Sequence, residues 1–247
     1  METTKLQEVL GGVIAVSKEA GAFIRQERSS FTYEKIEHKG FNDLVSYVDK
    51  EAEKMIVAAL RTLVPEAGFV TEEGTASHKA AVYNWIIDPL DGTTNFIHGL
   101  PVFATSIALM QGDEVILGVV YEVNRDECFY AIEGAPAYCN AQEISVSKTP
   151  ELSGSLMATG FPYYNFDKMP TYLDIINELM RSTHGLRRMG SAAVDLVYTA
   201  IGRFEGFFEY NLNPWDVAAG AFIVKQAGGI VSDFSGGNDY VFGREIL

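Results

Sequence analysis

Residues 85–101 read WIIDPLDGTTNFIHGLP, and the fold is read outward from them. Trp85-Ile86-Ile87 is an uninterrupted apolar run, the pattern of a short strand covered on both faces. Asp88 and Asp91 stand where that strand is expected to end, separated by Pro89 and Leu90, and Gly92-Thr93-Thr94 follows as a turn. A carboxylate set beside a core is costly unless it is hydrogen-bonded or ligates a metal. Two of them at one strand end point to chemistry.

On the N-terminal side, apolar residues at helical spacing predict helices over Thr4–Arg28 and Asp49–Leu63, the second stopped by Pro65. Short strands are expected at Gly68–Glu72 and Tyr83–Ile87. On the C-terminal side, FATSIALMQ, VILGVVYEV and CFYAI read as strands joined by hairpins at Gly112-Asp113 and Asn124-Arg125-Asp126. A further strand is expected at Ser155–Phe161, and helices at Lys168–Arg181, Ser191–Ile201 and Pro214–Ala227. FEGFFEY and GGIVSDF read as strands beside the last two helices. Helices and strands mix without a strict βαβ rhythm, so an α/β or α+β layered sandwich fits better than a Rossmann sheet. The 247 residues carry no internal repeat or clean linker, and are read as one domain with two sub-domains of about 1–150 and 151–247.

The chain is 47% hydrophobic, enough for a sizeable core, and carries 33 acidic against 19 basic residues, a formal charge of −14. Nucleic acid is an unfavoured partner for such a chain, since phosphate backbones call for a basic footprint. Bound cations would reconcile the acidity with an anionic substrate. Cys128 and Cys139 form no disulfide framework, no signal peptide opens the chain and no run approaches a membrane span, so a soluble, reduced, cytoplasmic protein is expected.

Carboxylates recur at element ends: Asp43…Asp49, Glu72-Glu73, Asp88…Asp91 and Asp216. Magnesium takes hard oxygen ligands and keeps several waters, so a few carboxylates suffice for each ion. Two ions about 4 Å apart need a carboxylate that bridges them, and aspartates three apart across a strand-to-turn junction can do this, with the Leu90 carbonyl as an extra ligand. Gly92-Thr93-Thr94 offers backbone N–H groups for a phosphate, and Thr93 a hydroxyl to orient a water. No serine or cysteine nucleophile motif competes with this reading.

Asp88-Pro89-Leu90-Asp91-Gly92-Thr93-Thr94-Asn95-Phe96 closely resembles the first signature of the inositol monophosphatase family, and Trp215–Gly220 followed by Ala227-Gly228-Gly229 resembles the second. Thr71-Glu72-Glu73 and Asp43–Asp49 fit its two upstream elements in order, so the resemblance covers roughly residues 5 to 245. It implies alternating α/β/α/β/α layers and Mg²⁺-dependent hydrolysis of a small phosphate monoester, with two to three Mg²⁺ per active site. By resemblance, Glu72, Asp88 and the Leu90 carbonyl hold the first ion, Asp88, Asp91 and Asp216 the second, and a third sits near Glu72. Thr93, held by Asp49, activates the attacking water, and the Gly92 and Thr93 amides hold the phosphate. Glu209 and Asp216 meet the substrate's hydroxyls, and Gly190-Ser191-Ala192 lines the other side of the pocket. Homodimerisation and lithium sensitivity are also implied. The family usually continues past Leu247 into another strand and a helix, so a shortened or missing tail is expected, touching stability more than chemistry.

Bland readings weigh against several residues. Asp216 can cap the helix that begins near Trp215, which is compatible with ligation. Glu209 can face water from its strand, and Arg187-Arg188 can be a solvated pair. Lys39 beside Gly40 is a candidate for phosphate contact, and His98 reads as a loop or interface residue. Relatives that act on 3′-phosphoadenosine 5′-phosphate tend to carry Lys-Glu where this chain has Thr94-Asn95, which favours inositol phosphates. Fructose 1,6-bisphosphate and histidinol phosphate stay open, as does a non-catalytic regulatory protein that keeps the metal site.

Overall fold

The apolar run through Trp85 becomes the interior of a large sheet in the computed structural model, which describes all residues except 32–35 and 39–43, and no side chains from 32 to 46. Lys39, Gly40 and Asp43 therefore lie outside the described residues. Helix α1 (Thr3–Ser29) is followed by the antiparallel pair β1 (Ile36–His38) and β2 (Leu44–Ser46), and then by α2 (Tyr47–Leu63). Next come β3 (Gly68–Thr71), β4 (Tyr83–Asp91), the short α3 (Thr93–His98), β5 (Ala104–Gln111), β6 (Glu114–Glu122), β7 (Glu127–Ile132), β8 (Tyr138–Cys139) and β9 (Gln142–Glu143). The rest comprises β10 (Leu156–Thr159), α4 (Met169–Ser182), β11 (Gly185–Arg187), α5 (Ala192–Ala200), β12 (Gly206–Tyr210), α6 (Pro214–Gln226) and β13 (Glu245–Ile246).

Strands β3 to β9 form a seven-stranded sheet in sequence order, with β3 parallel to β4 and the other neighbours antiparallel. A four-stranded sheet runs β11-β10-β12-β13, parallel except for the last pair. The helices' apolar patterns decide their layers. In α1 the buried Leu6, Val9, Val13, Val16, Ala20 and Ile24 recur every three or four residues, and α2 repeats this with Val48, Ala52, Ile56 and Leu60. One apolar stripe suits an outer helix, and both pack with Trp85, Ile87 and Leu109 on one face of the large sheet. In α6 every residue from Val217 to Val224 is buried, and in α5 every residue from Ala192 to Tyr198. A helix apolar all round must be covered all round, so these two lie between the sheets, against Ile86, Ala108 and Val120 on one side and Ala158 and Phe207 on the other. Helix α4 closes the far side through Tyr172 on Phe208 and Tyr210. The layers are α/β/α/β/α, two mixed sheets flanked by helices, as the family resemblance implied.

Three local expectations are corrected. Strand β4 does not stop at Ile87 but continues to Asp91 through Pro89, because β5 still pairs with it there. GGIVSDF forms no strand: Gly228 leaves α6 at φ +86°, and Ser232 with Leu247 makes an isolated reciprocal pair among otherwise local turn bonds in the described residues. The edge place beside β12 goes to β13 instead. Gly92-Thr93-Thr94 is the start of helix α3 rather than a plain turn.

Candidate functional site

Within β4 the pairing register shifts between Asp88, opposite Ser106, and Asp91, opposite Ala104. Pro89 has no N–H to give the ladder, so an irregularity there is expected. The shift has a consequence for side chains. Residues three apart on a regular strand face opposite sides, yet Asp88, Leu90 and Asp91 all line one cavity of about 290 Å³. The Leu90 amide donates to Asp88 Oδ1 at 2.9 Å, which fixes that carboxyl against its own backbone.

Gly92 then takes φ +98°, ψ +32° as the residue before α3, and a Cβ there would stand 2.9 Å from the Val102 carbonyl oxygen. Only glycine accepts both conditions without strain. Thr93 Oγ1 lies 2.8 Å from Asp49 Oδ1 and 3.0 Å from the Leu90 carbonyl oxygen, so its proton is shared toward two acceptors. Asp49 sits in the first turn of α2 and is buried. Glu72 follows β3 on a loop tied down by Glu53, a fully buried α2 carboxylate. Glu53 accepts from the Glu73 amide at 2.7 Å, the Thr75 amide at 2.8 Å and the Thr75 hydroxyl at 2.7 Å.

The opposite wall comes from the second sheet and the middle helices. Ser191 caps α5, accepting from the Val194 amide, and its hydroxyl donates to Asp91 Oδ2 at 2.7 Å. The Ala193 amide donates to the same oxygen at 2.6 Å. Asp216 is the third residue of α6 and accepts from the Asn213 amide at 2.7 Å, the reciprocal half of a capping box. Glu209 rises from β12 and is buried against Gly160, where a Cβ would lie 2.0 Å from its carboxyl carbon. Asn95 joins the two walls, donating to the carbonyls of Val102 and Met189, both at 2.8 Å.

Six carboxyl side chains line the cavity: Glu72, Asp88, Asp91, Asp195, Glu209 and Asp216. Arg188, which donates to the Tyr163 hydroxyl at 3.1 Å, is the one basic residue among the described lining residues. Burial and mutual repulsion together favour the neutral acids. Burial first, then Asp216 and Asp49, hold Glu72 well above the usual carboxyl range, and burial with Glu72 and Asp91 does the same to Asp88. Burial raises Asp91 to about 6 against the pull of Ser191 and Ala193, and burial with Asp91 raises Asp216 to about 7. Glu209 and Asp195 are raised as well, chiefly by burial. One oxygen of Glu72, Oε2, is buried with no hydrogen-bond partner.

Such a donor set suits hard divalent cations: all oxygen, over-supplied with negative charge, and with an orphaned carboxyl oxygen at its centre. Among the described residues no three acidic, histidine or cysteine side chains already stand in a closed ligating arrangement. Asp88, Asp91 and Asp216 each have one oxygen committed to an amide or hydroxyl instead.

Residues 5–247 match the model of the inositol monophosphatase family. The chain belongs to that family. Among curated relatives it is 40% identical to the Nus factor SuhB of Escherichia coli K12 over 243 residues, covering 98% of this chain and 91% of that protein. Among solved structures, the extragenic suppressor protein SuhB of Bartonella henselae superposes with a TM-score of 0.92 at 38% identity, covering 97% of this chain and 92% of that one. The inositol monophosphatase of Anabaena (Nostoc) sp. PCC 7120 does so with 0.85 at 34%, covering 98% and 90%. The family is typically metal-dependent.

The residues singled out in the family's signatures converge. Glu72, Asp88, Leu90, Asp91, Gly92, Thr93, Gly190, Ser191, Ala192, Glu209 and Asp216 all line the cavity, and Asp49 stands behind Thr93. Both arginines are exposed, but only Arg188 lines the cavity. Sequence reasoning missed Asp195, Gly160 and Tyr163. A lone aspartate inside the apolar run AAVDLVYTA was the available signal for the first; nothing marked the other two. No described helix is long and apolar enough to cross a membrane.

Proposed function

We propose that the protein is a Mg²⁺-dependent phosphatase of small phosphate monoesters, with myo-inositol monophosphate as its foremost substrate and no phosphoenzyme. The observation that carries this reading is the cavity itself: six carboxyls against one arginine, set around the Gly92-Thr93 backbone. A phosphate dianion cannot enter such a field unless cations invert it. Glu72, Asp88, the Leu90 carbonyl, Asp91 and Asp216 would hold two Mg²⁺, with a third near Glu72. When bound, the ions supply charge neutralisation, a more acidic attacking water and a stabilised leaving alkoxide.

The chain's own residues do the rest. Thr93, with its proton directed to Asp49 and the Leu90 carbonyl, offers its lone pairs to the attacking water and orients it for in-line displacement. The Gly92 and Thr93 amides hold the phosphate. Ser191 and Ala193 lock Asp91 in one rotamer, and the Asn213 amide does so for Asp216. Glu209 accepts from a hydroxyl of the alcohol, and the backbone at Gly190–Ala192 closes the other side. The likeness to a solved inositol monophosphatase supports the substrate choice, as does Thr94-Asn95 in place of Lys-Glu. Millimolar Li⁺ is expected to inhibit by replacing the second Mg²⁺.

The test is phosphate release at neutral pH, with Mg²⁺ or chelator, from myo-inositol 1-phosphate, fructose 1,6-bisphosphate, histidinol phosphate and 3′-phosphoadenosine 5′-phosphate. Mg²⁺-dependent turnover led by the inositol ester is expected. A different leading substrate keeps the mechanism and overturns the substrate. A second reading follows from relatives named Nus factor: a regulatory assembly protein in which the metal site is structural. The Asp49–Thr93 hydrogen bond argues against it, since a structural site needs no water-orienting hydroxyl; absence of turnover by folded, Mg²⁺-loaded protein would favour it. A core shared between both sheets supports a single domain, and two buried free cysteines suit a cytoplasmic protein. Homodimerisation is proposed by family membership, with light scattering as its check.

A further inference from the structure

We propose that Asp195 is a specificity-determining residue that, beside Glu209, selects esters whose alcohol carries neighbouring hydroxyl groups. The inference rests on the phosphatase reading above and deepens it.

Asp195 is 1% exposed, lines the cavity, and its Oδ1 is buried without a hydrogen-bond partner. A buried carboxyl oxygen left unsatisfied costs folding free energy, so it persists where something else completes it. The helix that carries it does not need it. Ser191 caps α5 and takes the Val194 amide, Asp91 takes the Ala193 amide, and the Asp195 amide goes to the Ser191 carbonyl. Among the described residues no side chain donates to it; Arg188, the neighbouring cation, donates to the Tyr163 hydroxyl instead.

Its surroundings indicate what completes it. The first turn of α5 packs on β12, which brings Asp195 close enough to Glu209 for the two charges to feel one another. Gly160 lies directly against the Glu209 carboxyl, so that group is confined to the cavity side. Asp91 Oδ2 is already spent on Ser191 and Ala193, so this carboxyl pair feels the charge of Asp91 but is not hydrogen-bonded to it. Two buried carboxyls on one wall match two hydroxyls on adjacent carbons, because a hydroxyl both donates and accepts and so pairs with a carboxyl in either protonation state. A site built to bond a hydroxyl discriminates against esters without one far more than an apolar pocket can.

Asp195→Leu removes the polar atoms while keeping the four-atom branched shape, with methyl groups larger than the oxygens directed to the cavity, and Asp195→Asn keeps a donor and an acceptor in place. Each is compared with the wild type on myo-inositol 1-phosphate and on phenyl phosphate, which has no hydroxyl on its alcohol. For Asp195→Leu we expect about a 10- to 50-fold loss of kcat/KM on the inositol ester, mostly in KM, and less than about threefold on phenyl phosphate. Asp195→Asn should restore the inositol ester to within about fivefold of wild type. The melting temperature separates this role from a structural one: losing an unsatisfied buried carboxyl should leave Asp195→Leu as stable as the wild type or more so. Equal losses on both esters, no loss on either, or a Leu variant that melts early or fails to fold would overturn the assignment. A wild type that hydrolyses neither ester would instead overturn the phosphatase reading, and with it this one.

Discussion

The two walls of the cavity solve the same problem in opposite ways. On the β4 side the chemistry is local: Asp88, Leu90, Asp91 and Thr93 lie within six residues, and the register shift at Pro89 brings them to one cavity. Asp88 is held by the Leu90 amide and Thr93 by Asp49 and the Leu90 carbonyl, while Asp91 is held from across the cavity by Ser191 and Ala193. On the α5–β12 side the groups come from segments far apart in sequence, Gly160, Arg188, Asp195 and Glu209, and only the stacking of the middle helices on the second sheet assembles them. Each wall keeps an orphaned carboxyl oxygen: Glu72 Oε2 on the first, within the proposed cation ligands, and Asp195 Oδ1 on the second, beside Glu209. The first orphan suits a cation, which serves all phosphate esters alike, and the second suits a hydroxyl of one alcohol.

That division can be broken by mutation. The largest effect is expected from Asp88→Asn, which removes the ligand proposed to be shared by two ions: a loss on the order of 10³-fold in kcat for every ester in the panel, measured by phosphate release. Thr93→Ala comes next, at about 10²-fold or more in kcat with little change in KM, again independent of the alcohol. Gly160→Ala should act only on the other wall, because its Cβ would occupy the place of the Glu209 carboxyl. About a 10-fold rise in KM for inositol phosphate, with phenyl phosphate spared, is the expected outcome. Equal effects on both esters from Gly160→Ala would erase the distinction between the walls.

The smallest effect concerns pH. Asp91 and Asp216, raised to about 6 and about 7, keep protons in the folded, metal-free protein that the unfolded chain has lost above about pH 4. The folded state binds more protons over that window, so the cluster makes metal-free stability fall as the pH rises from about 4 to 7. Mg²⁺ needs the deprotonated groups. Ten millimolar Mg²⁺ should therefore raise the melting temperature by about 3–8 °C at pH 7.5 and by less than about 1 °C at pH 5. A larger gain at pH 5 would show that other groups bind the ion.

The same contrast explains what the sequence disclosed. WIIDPLDGTTNF was legible because its groups sit close together and their spacing fits the chemistry proposed for them. The layer order was legible too, since α5 and α6 are apolar on every side and α1 and α2 on one. What escaped depended on distance or on weak pairing. Gly160 matters only because Glu209, 49 residues later, folds against it. Asp195 showed only as a lone aspartate in an apolar run, and its meaning came from the cavity, where no described group donates to it. GGIVSDF has a strand's composition, yet β13 takes the available edge, a competition that no local pattern records.

The account stands most directly on whether the carboxyl cluster binds divalent cations. Titration calorimetry of the metal-free wild type with Mg²⁺ at pH 7.5, in two buffers of different ionisation enthalpy, measures ions bound and protons released together. At least two ions per chain, with proton release, and loss of that signal in Asp88→Asn are the predicted result. No uptake by folded protein at 10 mM Mg²⁺, or uptake unchanged in Asp88→Asn, would contradict it.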